Sequence, residues 1–226
     1  MQASVHVYES HQQASLAAAN AIAAELRRLI AERGRAVGIF SGEASQTELL
    51  DHLVKAEGIE WTRVIGFHTF ELLGADEDAP HSQRKFLFDH LVCRVPMVEF
   101  HGLRGEAANP DAVCVNYAAL LKTRPPDLAV LGIGRSGELA AIDSASCDFD
   151  DPSAVKLTDS AITLTIPMLG TCPSLFVIAN GKSQPEAVRA TLTGEVSPGC
   201  PASILQIHPN AHLFLEREFA PFPFSN

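Results

Sequence analysis

The sequence has no excess of positive charge and no long apolar run. Its 27 acidic side chains outnumber 17 basic ones, giving a formal net charge of −10 and a pI near 5.3. Such a chain has no general attraction to nucleic acid or to anionic membranes. No apolar segment approaches the roughly 20 residues of a membrane-spanning helix, and the N-terminus lacks a basic-then-apolar signal pattern. We therefore expect a cytoplasmic protein that binds neither nucleic acid nor membranes.

Metal-site and disulfide patterns are also missing. The five cysteines are widely and unevenly spaced without a CxxC motif, which is typical of reduced thiols. The nine histidines do not recur at metal-ligand spacing. The three that come closest, His81, His90 and His101, fall on different predicted elements. The sequence therefore predicts no metal site and no cofactor.

The chain instead has ample apolar content, with 46% hydrophobic residues among 226. Short apolar runs alternate with helical periodicities, and this alternation predicts one α/β domain with a mostly parallel sheet. The predicted strands are residues 4–8, 36–40, 61–67, 98–101, 128–131, 161–166, 174–179 and 211–215. The predicted helices are residues 10–33, 47–58, 83–91, 112–121 and 183–194, with a helical turn over 200–206. Residues 68–82 and 143–160 are predicted loops, 167–172 a turn, and the last eight residues an edge segment.

The segment that runs from Asp127 to Asp143, DLAVLGIGRSGELAAID, is the first candidate for a site. It reads as a buried parallel strand followed by a glycine turn containing Gly134, Ser136 and Gly137. Ligands of open α/β sheets bind outside the carboxyl ends of such strands. The glycines resemble a dinucleotide fingerprint only superficially, because their spacing differs and no acidic strand end lies about 20 residues further on.

A second candidate turn, Ser41–Gly42, follows the predicted strand 36–40 and precedes a predicted helix. A small-residue turn at a helix start offers free N–H groups to an anion. The turn is not a Walker A motif, because no Gly-Lys-Ser/Thr follows. A phosphate turn and an ordinary strand-to-helix turn both fit this pattern.

Four ionisable residues follow predicted strand ends, and in a parallel sheet all four would lie at one rim. They are His68, Glu71, Glu138 and Asp143. Carboxylates beside a histidine are suited to acid–base chemistry. The alternative is that these groups are solvated loop charges.

Four segments match the motifs of one family in the same order along the chain. IFSGEASQTELL resembles a "TGxTP" phosphate turn, and FHTFELLGADEDAPHSQRKFLFDHL resembles "FNMDEYVGL…HPxSYxxFM". LAVLGIGRSGELAAID resembles "GIGxDGHIAFNE", and GEVSPGCPASILQIHPN, which begins at Gly194, resembles a segment carrying "SxLQxHP". The chain thus resembles the glucosamine-6-phosphate deaminase/isomerase family, whose sister branch is 6-phosphogluconolactonase.

The resemblance implies a Rossmann-like, single-domain three-layer α/β/α sandwich over residues 1–226 with a mainly parallel sheet. It implies a sugar or sugar phosphate ligand at the strand carboxyl ends. In the family a histidine opens the sugar ring, an aspartate moves a proton through an enediol, and the deaminases release ammonia. Family members are monomers, trimers or hexamers, so a homo-oligomer is compatible with the resemblance.

Several motif positions carry other residues here. Phe70 stands where the family has its enediol aspartate, and Glu138 stands where it has the ring-opening histidine. Ser136 replaces the aspartate of "GIGxDGH", whereas Asp143 keeps the closing acid in kind. Phenylalanine cannot accept a proton, so the family reaction is expected to be lost or altered.

The phosphate turn also departs from the family motif. Ser41 and Gly42 match it, whereas Glu43 and Ala44 replace its next glycine and its threonine. Lys182 lies near the position of a family lysine.

Three interpretations of the function remain open. In an altered sugar-phosphate enzyme, Glu71, Glu138 and Asp143 would supply acid–base groups, with His68 as a helper. The ligand-binding residues would be Ser41, Gly42, Gly134, Ser136, Gly137 and Lys182. The alternative is a non-catalytic family member that binds a sugar or a protein. A lactonase-like hydrolase is a further alternative, although Ser136 and Glu138 also break the motif of that branch.

Overall fold

The computed structural model describes residues 3–179 and 185–219. Within these ranges the strands are β1 (Ser4–Tyr8), β2 (Ala36–Phe40), β3 (Val64–His68), β4 (Phe70–Leu72), β5 (Glu99–His101), β6 (Leu128–Gly132), β7 (Val155–Leu157), β8 (Ala161–Leu164), β9 (Ser174–Ile178) and β10 (Ala211–Glu216). The helices are α1 (His11–Arg33), α2 (Thr47–Leu53), α3 (Gln83–His90), α4 (Pro110–Thr123), α5 (Ile166–Gly170) and α6 (Pro185–Thr193).

A seven-stranded parallel sheet forms the centre of the molecule, in the order β1-β10-β9-β6-β2-β3-β5. The edge strand β1 pairs with β10, so that Ser4 lies opposite His212. A second, antiparallel sheet of three short strands has the order β4-β8-β7. The mainly parallel sheet predicted from the alternating pattern is confirmed.

The middle strands β2, β3, β6 and β9 are buried along their whole length, as expected for parallel strands covered on both faces. On β2, Val37 and Ile39 belong to one core and Phe40 to the other. One core is closed by side chains of α1, α2 and α3. The opposite core is closed by α4, α5, α6 and the small antiparallel sheet. This arrangement confirms the three-layer α/β/α sandwich.

The long helix α1 shows how local sequence sets these boundaries. Ser10 caps its start by accepting a hydrogen bond from the N–H of Gln13 at 3.3 Å. Gly34 ends it at φ 76°, a left-handed conformation that glycine adopts without strain. Alanines such as Ala14 and Ala18 are fully buried and let the helix lie close to the sheet.

Three short elements differ from the sequence prediction. Strand β4 lies within the predicted loop 68–82, β7 lies within the predicted loop 143–160, and α5 replaces most of the predicted turn 167–172. Strand β4 is stabilised by antiparallel pairing with β8, which is distant in sequence, and β7 pairs with β8 across the short turn between them. The predicted helix 183–194 is described from Pro185 onward, and the C-terminal edge segment lies almost wholly outside the described residues.

Helices long and apolar enough to cross a bilayer are absent from the described part of the chain.

Candidate active site

The order of the strands locates a crevice. The chain leaves β2 towards β3 on one side of the sheet and leaves β6 towards β9 on the other. In open parallel sheets ligands bind where this direction reverses, outside the carboxyl ends of the two central strands. The crevice therefore lies between the turn after β2, which begins at Ser41, and the turn after β6, which begins at Ile133. We call these the β2 turn (residues 41–46) and the β6 turn (residues 133–138).

Ser41 and Gly42 fix the β2 turn in place. The N–H of Ser41 donates to the carbonyl of Val130 at 3.0 Å, and its hydroxyl lies 3.2 Å from that of Thr69. A Cβ at position 42 would lie 2.2 Å from the carbonyl oxygen of Gln83, at the start of α3. Glycine is therefore required at position 42 for close backbone approach, whether or not the turn holds an anion.

Gly42→Ala is expected to destabilise the protein by about 1–3 kcal/mol, because the added methyl group meets backbone that cannot move freely. Gly170→Ala serves as the control, since a Cβ there has no neighbour within 4 Å. Urea unfolding of both variants measures the difference. Unchanged stability of Gly42→Ala would show that the close approach to Gln83 is not what requires glycine.

Glu43 places a carboxylate at the crevice. It precedes the helical turn Ala44–Gln46 that leads into α2, and its Oε2 accepts a hydrogen bond from the Ser45 hydroxyl at 3.2 Å. A Cβ at position 132, at the end of β6, would lie 2.6 Å from the same Oε2. The Glu43 side chain thus reaches from the β2 turn to the end of β6, and only glycine fits beneath it.

Gln46, at the end of the same turn, is fully buried. Its amide nitrogen would lie 3.2 Å from a Cβ at Gly132. Neither its oxygen nor its nitrogen has a hydrogen-bond partner among the described residues. Buried amides are almost always paired, so an unpaired one at a crevice indicates a place for a ligand or water.

The β6 turn is closed by Glu138. The Gly134 N–H donates to the Glu138 carbonyl at 2.9 Å, and the Ser136 N–H donates to Glu138 Oε2 at 2.7 Å. Gly137 has φ +90°, and a Cβ there would lie 2.7 Å from Cys200 Sγ. The Glu138 carboxylate therefore folds back over its own turn.

His68 ends β3 beside the crevice and is fully buried. Neither ring nitrogen has a partner within the described residues. Burial, reinforced by the nearby Arg84 guanidinium, lowers the pKa of His68 to about 3. The imidazole is therefore neutral and offers one donor and one acceptor.

Glu71 lies one residue into β4 and is also fully buried. Its Oε1 accepts from the N–H groups of Leu72 (2.9 Å) and Gln83 (3.1 Å). Its Oε2 accepts from the Ser82 hydroxyl and the Arg84 N–H, both at 2.8 Å. The carboxylate thus binds the free donors at the start of α3, an arrangement that stabilises the helix.

Asp143 is an exposed turn residue. Its Oδ1 accepts from the Ser146 hydroxyl at 2.6 Å and from the Ser146 N–H at 2.9 Å. The Ser146 hydroxyl is the main cause that lowers the pKa of Asp143. The Asp143 carboxylate therefore stabilises the local turn over residues 143–146.

The structure thus brings part of the predicted set together at the crevice. The β2 and β6 turns contribute Ser41, Gly42, Gly134, Ser136, Gly137 and Glu138. His68 lies at the end of the neighbouring strand, whereas Glu71 and Asp143 stabilise local structure. Lys182 lies outside the described residues. Their roles in binding and catalysis stay predictions.

Gln46 is the residue that the sequence analysis missed, because its burial follows from packing against Gly132. The only indication in the sequence was that Gln46 lies a few residues after the candidate turn Ser41–Gly42. Groups of three or more His, Cys, Asp or Glu side chains arranged to hold a metal ion do not occur in the ranges 3–179 and 185–219.

Comparison with known proteins identifies the scaffold around this crevice. The profile of the family described as glucosamine-6-phosphate isomerases/6-phosphogluconolactonase matches residues 9–214. The chain belongs to this family. The resemblance drawn from the sequence motifs is confirmed.

Curated relatives of this glucosamine-6-phosphate isomerase/6-phosphogluconolactonase family member include two bacterial enzymes. Glucosamine-6-phosphate deaminase of Streptococcus pneumoniae serotype 4 (strain ATCC BAA-334 / TIGR4) is 27% identical over 211 residues, covering 85% of this chain and 90% of the relative. Glucosamine-6-phosphate deaminase of Listeria innocua serovar 6a (strain ATCC BAA-680 / CLIP 11262) is 28% identical over 203 residues, covering 81% and 86%.

Solved structures of both branches of the family share the fold. A monomeric glucosamine-6-phosphate deaminase superposes with a TM-score of 0.84 at 21% identity, covering 96% of this chain and 98% of that one. A 6-phosphogluconolactonase from Shewanella baltica OS155 also gives 0.84, at 19% identity, with 95% and 98% covered. At these identities the structures establish the α/β sandwich alone.

Proposed function

We propose that this chain is a protein of carbohydrate metabolism that binds a sugar or sugar phosphate in the crevice between the β2 and β6 turns. We further propose that deamination and isomerisation of hexosamine 6-phosphates are lost or much slowed. The observation that carries the proposal is Phe70. In the motif resemblance this residue stands where the family has its proton-transferring aspartate, and its side chain is buried and stacked near His68, with ring centres 6.5 Å apart.

The neighbouring acids are poorly placed to act as the missing base. Glu71 already accepts four hydrogen bonds. The Asp143 carboxylate is held by Ser146, and Glu138 accepts from Ser136 across its own turn. A general base must reach the proton it abstracts. Each of these carboxylates would have to leave its present partners before it reached a substrate.

Family membership supports the ligand class. The relatives are named as glucosamine-6-phosphate deaminases, and the shared scaffold includes 6-phosphogluconolactonases. The crevice of this chain retains the Ser41–Gly42 turn and the glycines of the β6 turn. A cytoplasmic location, self-association and the absence of nucleic-acid binding stay predictions.

The direct test measures ammonia release and ketose formation from glucosamine 6-phosphate and galactosamine 6-phosphate. We expect turnover at least about 10²-fold below that of the S. pneumoniae deaminase assayed in parallel, because loss of one general base costs roughly 10²–10⁴. Hydrolysis of 6-phosphogluconolactone in the same preparations tests the lactonase alternative. Turnover of any of these substrates at the rate of a related enzyme, abolished by Glu138→Gln, would overturn the proposal.

Binding is measured separately from turnover. Isothermal titration and ligand-observed NMR with hexosamines and their 6-phosphates are expected to detect association without conversion. Absence of binding to every member of this panel would also overturn the proposal.

A further inference from the structure

Two histidines are in contact at the edge of the central sheet. On the face that α1 covers, His6 of β1 and His212 of β10 bring Nε2 and Nδ1 to 3.5 Å from each other. His212 stacks on Phe176 with ring centres 5.4 Å apart, and His6 stacks on Phe214 at 5.0 Å. The strand register places each histidine directly opposite the phenylalanine on which it stacks. The two histidines therefore join the outermost strand to the rest of the sheet.

The hydrogen bonds around His212 determine which of its nitrogens carries the proton. The Asn210 amide donates through Nδ2 to Ser174 Oγ at 2.8 Å and to the carbonyl of Pro173 at 3.3 Å. Because that carbonyl only accepts, Asn210 Oδ1 is the atom that faces His212 Nε2, 3.0 Å away, and accepts its proton. In the neutral ring Nδ1 of His212 is then an acceptor, and it faces the N–H group at Nε2 of His6.

This arrangement accommodates one additional proton but not two. A first proton can bind at Nδ1 of His6, which leaves its Nε2–H group directed at the acceptor of His212. A second proton would bind at Nδ1 of His212, where two N–H groups would face each other and two like charges would lie side by side. Double protonation therefore breaks the contact between the two strands.

Burial opposes protonation of both rings. It is the main cause that lowers the pKa of His6, followed by the charge of His212. Burial also lowers the pKa of His212, although the Glu25 carboxylate acts in the opposite direction. Arg28 donates to both oxygens of Glu25 at 2.8 Å, and the charge of Arg33 also acts on it. Because these cations already match its charge, Glu25 does not compensate for a second proton on the histidines.

The other charged groups at this edge lie near the carboxyl end of β1. His11 Nδ1, on α1, is 3.6 Å from Glu216 Oε1 on β10, and a protonated His11 would attract that carboxylate. Glu9, which follows β1, forms an ion pair with Arg217, which follows β10, at 2.5 Å. Protonation of His11 would therefore strengthen the edge, so a loosening of β1 in acid has to come from His6 and His212.

We infer that His6 and His212 form an acid-sensitive clasp, which holds β1 on the sheet at neutral pH and releases it when both rings are protonated. Because the pKa of each ring is lowered in the folded protein, the stabilising contribution is complete above the ordinary value of 6.5 and is lost as the pH falls below it. Release of β1 would make β10 the edge of the sheet, with free backbone donors and acceptors. The inference does not depend on the ligand that the crevice binds.

Hydrogen exchange measured by NMR or mass spectrometry tests the release of β1. Protection factors, which correct for the pH dependence of the intrinsic exchange rate, are compared between pH 7 and pH 5 for the amides of β1 and β2. Those of β1 are expected to fall at least about tenfold more than those of β2, because the opening is local. An equal change in both strands would overturn the inference.

Two substitutions of His6 separate protonation from packing. His6→Phe keeps an aromatic ring in the stack, and His6→Gln keeps an N–H donor without a titrating group. In both variants the extra loss of protection in β1 is expected to shrink to less than about threefold. His81→Gln, at an exposed loop position, is the control and is expected to retain the tenfold loss. Full acid sensitivity of β1 in a folded His6→Phe or His6→Gln protein would overturn the inference.

NMR titration of the imidazole groups distinguishes a coupled pair from two ordinary histidines. In the wild-type protein His6 and His212 are expected to bind protons in two steps separated by more than about one pH unit. In His6→Phe, His212 is expected to titrate in a single step, at a higher pH than the second step of the wild-type pair. Two independent titrations near the pKa of free histidine in the wild-type protein would also overturn the inference.

Discussion

Glu71→Ala is expected to lower the free energy of unfolding by about 3–5 kcal/mol. The substitution leaves three backbone N–H groups and the Ser82 hydroxyl without their buried acceptor, and each unsatisfied buried donor costs about 1–3 kcal/mol before the structure relaxes. Glu71→Gln retains one acceptor oxygen but turns an NH₂ group towards the donors, so its effect should be intermediate. Urea unfolding followed by circular dichroism measures the series.

Glu77→Ala is the matched control, because Glu77 is an exposed acid in the loop between β4 and α3. Its effect is expected to stay within about 0.5 kcal/mol. A stable Glu71→Gln protein that had lost a measurable activity would instead point to Glu71 as a catalytic acid or base. Equal stability of wild-type and Glu71→Ala proteins would contradict the capping role.

Acid is expected to destabilise the fold through His68. Its pKa falls from the ordinary 6.5 to about 3 in the folded protein. Between these values the unfolded chain binds a proton that the folded chain does not. The contribution of His68 to stability is therefore constant above about pH 6.5 and falls below it by up to about 1.4 kcal/mol per pH unit, or about 2 kcal/mol by pH 5.

His68→Leu tests this prediction, because leucine does not titrate and the loss of stability between pH 7 and pH 5 should shrink by about 2 kcal/mol. Burial also lowers the pKa of His6, His208 and His212, so some acid sensitivity will remain. His81→Gln, at an exposed loop position, is the control. Identical pH dependence in the wild-type and His68→Leu proteins would refute a neutral His68.

The sequence alone predicts the middle of the central sheet well, because β2, β6 and β9 are short apolar runs typical of buried parallel strands. It does not predict β4 and β7, which have three residues each and exist because β8 lies between them. Periodicity over three residues carries almost no information, and the pairing partner of β4 is remote in sequence, although that of β7 is its next neighbour along the chain. The prediction of loops at these positions was wrong for that reason.

In the candidate site, too, some residues could be predicted from the sequence and others could not. Glycines at 42, 134 and 137 mark turns in the sequence, because close approach or positive φ leaves room for no other residue. The state of Glu71 was not predictable, since three of its four donors come from residues 11 to 13 positions further along the chain. Such contacts decide whether a carboxylate caps a helix or faces a ligand, and the spacing of residues in a motif does not reveal them.

The pairing of β1 with β10 has a consequence for synthesis of the protein. Ser4 is separated from its partner His212 by 208 positions (212 − 4), so β1 leaves the ribosome long before the strand with which it pairs. At 5–20 residues per second this delay is roughly 10–40 s. Throughout that time β1 is an unpaired edge with free backbone donors and acceptors. The interval before β10 emerges is therefore when a nascent chain is most exposed to misassociation and to chaperone capture.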